Sequence, residues 1–159
     1  MKRSIWSAAA LALAAIGPVA CGEAPVEQAA DPEAPAGIAV DNARLMLPPV
    51  PGNPGAVYFD ISNSGEKDMM IFSVSVEGAG SAMMHQMGTT NGQTSMDEVL
   101  QINVPAGETL AFEPGGLHVM AMDLADTVAA GGESEVTLTF AGGDKVSFSA
   151  EVRAAGDER

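Results

Sequence analysis

The stretch "SEVTLTFAGGDKVSFSAEV" (Ser134–Val152) decides the fold class. Val136, Leu138 and Phe140 alternate with Thr137 and Thr139. Beyond Ala141-Gly142-Gly143-Asp144, Val146, Phe148, Ala150 and Val152 alternate with Ser147, Ser149 and Glu151. A period of two places the apolar members of each run on one side of an extended chain, and the glycine pair supplies a turn. The stretch therefore predicts a β-hairpin with one face buried.

Similar short apolar runs occur upstream at Ile38–Leu45, Val57–Ile61, Met69–Val76, Leu100–Val104, Thr109–Phe112 and Leu117–Leu124. Turn-forming clusters punctuate them, among them Pro51-Gly52-Asn53-Pro54-Gly55, Asn63-Ser64-Gly65, Asn91-Gly92, Pro105-Ala106-Gly107 and Pro114-Gly115-Gly116. No segment of this body sustains a 3.6-residue period. Residues 37–153 are thus expected to form one all-β domain, an antiparallel β-sandwich of Greek-key type, with 154–159 as a disordered tail.

Residues 1–20 have a different character. Lys2 and Arg3 precede an apolar run from Ile5 to Ile16, and small residues lead to Cys21, the chain's one cysteine. This is the pattern of a bacterial signal peptide. The run is too short for a permanent span of ~20 residues. Pro18-Val19-Ala20-Cys21 resembles the lipobox of bacterial lipoproteins, with Pro18 where leucine usually stands, which implies a lipid-modified Cys21. An ordinary cleaved signal with a stray thiol is the alternative. Residues 21–36, rich in Pro, Ala and Glu, read as a flexible tether.

With 21 acidic against 7 basic side chains, the formal charge is −14. That sign excludes nucleic acid as a ligand and otherwise serves solubility. A single cysteine excludes an intrachain disulfide and dithiol redox chemistry.

Function is concentrated elsewhere. Gly80–Val99, "GSAMMHQMGTTNGQTSMDEV", carries four methionines and His85, and "GGLHVMAMDL" carries His118, Met120 and Met122. These are the chain's two histidines, and both lie among methionines. A two-residue turn at Asn91-Gly92 would pair residues whose numbers sum to 183, setting Met87 opposite Met96 and His85 diagonal to Met96. His118 and Met120 share a face of their strand. Thioether and imidazole donors suit Cu(I), are poor for the oxygen-seeking cations, and lack the thiolate of a blue-copper or structural zinc site.

His85, Met96, His118 and Met120 stand in the order and spacing H-x10-M-x21-H-x-M, which resembles the signature of the periplasmic copper chaperones called PCu(A)C. The flanks "VYFDISNSGEKD" and "VPAGETLAFEPGGLHVMAMDL" are similar to that family as well. Gln86 occupies a place where the family often has methionine. The resemblance implies a cupredoxin-like sandwich that binds one Cu(I) through those four residues; a monomer is expected, and two histidines with no cysteine pair leave little for an enzyme's oxygen or thiol chemistry. The resemblance also implies delivery to a copper-accepting oxidase subunit or its assembly factors, notably the Cu(A) centre of cytochrome c oxidase, in the periplasm. Met83, Met84, Met87 and Met122 fall outside the signature. A structural or adhesive lipoprotein with a methionine-filled core and no metal is the competing expectation.

Overall fold

The computed structural model describes residues 34–90 and 92–157; residues 1–33, which hold the expected leader, Cys21 and most of the tether, lie outside them, as do Asn91, Glu158 and Arg159. Among the described residues every regular element is a strand. They are β1 (Ile38–Met46), β2 (Gly55–Asn63), β3 (Met69–Val76), β4 (Ser81–Thr90), β5 (Gln93–Glu98), β6 (Ile102–Val104), β7 (Thr109–Phe112), β8 (Leu117–Met122), β9 (Glu133–Phe140) and β10 (Lys145–Arg153). The all-β expectation holds.

The hairpin expected over Ser134–Val152 is β9–β10, with Leu138 opposite Val146 and Val136 opposite Phe148. Its two alternating sets, Val136, Leu138 and Phe140 with Val146, Phe148, Ala150 and Val152, are all buried. Each large member contributes roughly 1.5–3 kcal/mol by leaving water.

The strands form one ladder in the order β5-β4-β8-β7-β2-β1-β10-β9-β3-β6, with β8 also pairing β2. Phe148 of β10 lies 5.1 Å from Phe59 of β2, ring centroid to centroid, although β1 separates these strands in the ladder. The ladder therefore folds over at the β1–β10 seam, giving two layers around one core. Most pairings are antiparallel. Parallel registers occur where β1 meets β10, over Arg44–Met46, and at the Phe112–Leu117 contact of β7 with β8.

A bulge in β1 aims the outer face. The register passes from Asp41 opposite Asp60 to Arg44 opposite Tyr58, so β1 spends one residue more than β2. Asn42 absorbs it at φ 56°, and its Nδ2 donates to Asp60 Oδ2 at 2.7 Å. The bulge changes the phase of alternation, so that Val40 before it and Leu45 after it both reach the core.

At the far end of β2, Asn63 is buried and its amide is fully used. Nδ2 donates to the carbonyls of Lys67 (2.8 Å) and Val104 (3.0 Å), and Oδ1 accepts the Gly65 N–H at 3.0 Å. Nearby, Asp68 accepts the Ala106 N–H and an Asn103 amide hydrogen bond. These bonds, the backbone one foremost, hold the Asp68 carboxyl below the usual carboxylate range.

Candidate metal centre

The site grows from three adjacent strands, β5, β4 and β8. Between β4 and β5 the observed pairs are His85–Glu98, Met87–Met96 and Thr90–Gln93, which is the register expected for a two-residue connection at 91–92. Gly92 sits there at φ 78°, a conformation that glycine adopts without the Cβ penalty. Between β4 and β8 the pairs are Met83–Met120, Met84–Val119 and His85–His118. Directly opposed residues share a face, so Met83, His85, Met87, Met96, Glu98, His118 and Met120 all lie on one side of this ribbon.

That side is the outer one. Of the six methionines between Met83 and Met122, Met84 alone joins the hydrophobic core; Met83, Met87, Met120 and Met122 are half-buried on the other face. Met96 is 49% exposed. A methionine-filled core does not account for this distribution.

The two imidazoles come together. His85 and His118 are stacked, with ring centroids 5.9 Å apart and planes inclined by 24°. His118 Nδ1 lies 3.1 Å from the Gly116 carbonyl oxygen. A carbonyl can only accept, so Nδ1 carries the proton and Nε2 keeps a free lone pair. The same carbonyl accepts the Met87 N–H at 3.1 Å, tying the ring's orientation to β4. Tyr58 flanks His118 on its other side, at 6.4 Å between centroids, and the Arg44 guanidinium lies over Tyr58 at 5.1 Å. These neighbours leave His118 only 5% exposed although it faces outward.

His85 Nδ1 is buried and has no hydrogen-bond partner. Leaving such an atom unpaired costs about 1–3 kcal/mol, and a bound cation would satisfy it. The groups that share its face are the His118 ring, methionine thioethers and, directly opposite on β5, the Glu98 carboxylate. Among the described residues no group of three or more His, Cys, Asp or Glu side chains is placed to hold a metal.

The four residues singled out in the sequence are placed unequally. His85, His118 and Met120 are contiguous on β4 and β8. Met96 lies one strand further out, diagonal to His85. Two neighbours were missed: Met83, opposite Met120, and Glu98, opposite His85. The hairpin rule already contained Glu98, because 85 and 98 sum to 183. Met83 needed the β4–β8 pairing, which no local sequence pattern encodes.

The LpqE-like lipoprotein family matches residues 38–152, nearly the whole described domain. Lxx21020 of Leifsonia xyli subsp. xyli (strain CTCB07), whose name describes it as a lipoprotein, is 35% identical over 89 residues, 55% of this chain and 54% of that protein. The match thus spans about half of that relative's length. Among solved structures, the copper-bound PCuAC domain from PmoF2 superposes with a TM-score of 0.62 at 22% identity, over 74% of this chain and 93% of that one. The Cu(I) form of DR1885 from Deinococcus radiodurans gives 0.57 at 24% identity, over 82% and 85%. These likenesses establish the cupredoxin-like β fold expected from the sequence.

Proposed function

The chain belongs to the LpqE-like lipoprotein family, and on that premise we propose that it is an extracytoplasmic copper carrier that binds one Cu(I) through His85, Met96, His118 and Met120. The observation that carries this reading is the opposed, stacked pair His85 and His118, one with an orphaned buried nitrogen, set among outward-facing methionines. The structures it superposes on include domains described as copper-bound, which supports the same ion.

The chemistry follows from the donors. Neutral thioethers and imidazoles favour soft Cu(I), and both rings must be unprotonated to bind it, so acid releases the ion. Here copper is cargo. Passing it on requires that an incoming ligand replace these donors one at a time, with no general base and no redox change. A carrier rather than an enzyme is the result. We assign delivery to a copper-accepting oxidase subunit such as the Cu(A) domain of cytochrome c oxidase; copper that stays with the carrier after incubation with the apo-domain and separation would remove that acceptor.

An anaerobic titration with Cu(I) against a competing chelator tests the central reading. One tight equivalent is expected, with an X-ray absorption edge typical of Cu(I) and a mixed sulfur and nitrogen shell. The absence of any stoichiometric site would return the protein to a structural or adhesive role.

Membrane attachment is proposed through Cys21, supported by the lipoprotein family and the lipobox-like residues before it. Cys21→Ser should move the protein from the membrane fraction to the soluble periplasmic fraction. Unchanged membrane retention would count against a lipid anchor.

A further inference from the structure

Two methionines outside the proposed ligand set, Met83 and Met87, flank His85 on its face, and the β4–β8 register sets Met83 of these directly opposite Met120. Met87 N donates to Gly116 O in this ladder, which makes 87–116 a hydrogen-bonded pair. By the two-residue repeat of an antiparallel ladder, 85–118 and 83–120 are then of the same kind. His85 with His118 and Met83 with Met120 therefore form two successive same-face rows. Each row spans about 5.5 Å between Cα atoms, and the rows lie about 7 Å apart along the strands. This is a compact block of two imidazoles and two thioethers.

Met96 is placed differently. From Met120 it is two strands across and two rows along, which in a flat sheet is roughly 17 Å between Cα atoms. Strand twist and the length of both side chains must close that gap before the two sulfurs can share an ion. Met96 is also 49% exposed on a strand whose side chains all face solvent, whereas Met83 is half-buried beside His85.

We infer that Met83 is a copper ligand, completing an inner shell with His85, His118 and Met120, and that Met96 is the outer donor exchanging with it as the ion enters or leaves. In the exchange one Cu–S bond forms while the other breaks. The metal stays Cu(I), and no proton or electron moves. The inference rests on the copper-carrier reading above and changes its ligand set at one place, with Met83 as the retaining sulfur of the resting shell and Met96 as the transferring one.

The test compares Met83→Leu, Met96→Leu and the double variant in the full chain, by chelator competition, by sulfur count from X-ray absorption, and by the rate of Cu(I) transfer to a chelator. Met83→Leu should weaken binding about tenfold or more. Met96→Leu should keep two sulfurs in the shell and slow transfer, and the double variant should retain one sulfur. In the wild type, Ag(I) loading should protect Met83 from peroxide oxidation, read by peptide mass spectrometry without any substitution. Met83→Leu with wild-type affinity, a shell that falls to one sulfur in Met96→Leu, or Met83 oxidation unchanged by Ag(I) would each overturn the proposal. Wild-type protein that takes up no Cu(I) would overturn the carrier reading as well, so the two failures are distinguishable.

Discussion

On the proposed copper-carrier reading, His118→Ala should remove tight Cu(I) binding, with affinity falling on the order of a thousandfold, ~4 kcal/mol, while the sandwich stays folded. His118 is the best-prepared donor on the face. Its ring is held between Tyr58 and His85, and the Gly116 carbonyl fixes the tautomer that leaves Nε2 bare. An orienting hydrogen bond of this kind raises metal affinity because the ligand is already in place. Alanine removes the nitrogen and the orienting contact together, and no third histidine exists to replace it. The cost to the fold is smaller, one hydrogen bond of about 1 kcal/mol plus packing on the outer face, because Val119 and Ala121 of the same strand still fill the core. Cu(I) competition and a thermal melt on the same sample separate the two effects. Full affinity in the variant would strike His118 from the ligand set.

The orphaned nitrogen of His85 belongs to the same logic. A buried imidazole nitrogen with no partner weakens the metal-free fold, and natural proteins tolerate such groups mainly where a function compensates. Leu or Val at position 85 would remove that cost and the donor together.

Local alternation made most of the fold legible. The β9–β10 hairpin and the strands around Phe59, Phe112 and Val119 follow from a period of two with glycine- or proline-bearing turns, because each strand buries one face. The β4–β5 register was legible for the same reason, since a two-residue connection leaves no choice of pairing. Three features were not. The β1 bulge flips the alternation between Val40 and Leu45, and only Asp41-Asn42 hints at it. The parallel β1–β10 seam joins the two ends of the domain and leaves no periodic trace. The β4–β8 pairing is long-range, so the sequence revealed the donor types and their spacing but not that Met83 faces Met120. Shorter strands than expected, such as β6 at Ile102–Val104, reflect Leu100 turning outward, where it is 72% exposed.

Among the buried polar side chains, Asn63 holds the fold without any metal chemistry. Asn63→Ala should cost about 3 kcal/mol and lower the melting temperature by on the order of 10 °C. The amide makes three bonds, two as donor to Lys67 and Val104 and one as acceptor from Gly65. Through Val104 it joins β2 to β6, the strand at one end of the ladder, so it helps hold the second layer over the first. Alanine takes the side-chain partner from two carbonyls, Lys67 and Val104, and from the Gly65 N–H. Asn63→Asp makes a sharper comparison: the acceptor to Gly65 survives, but a carboxylate would face two carbonyl oxygens with no proton to give. At neutral pH it should be at least as damaging as alanine, and acidification should restore part of the loss as the carboxyl becomes a donor again. Asn63 stands seven residues along β2 from Ala56, the partner of Met120, or roughly 23 Å. Copper affinity of the folded fraction should therefore be unchanged in both variants. Equal melting temperatures for wild type and Asn63→Ala would show that water satisfies these groups and that the two layers are held together by apolar packing alone.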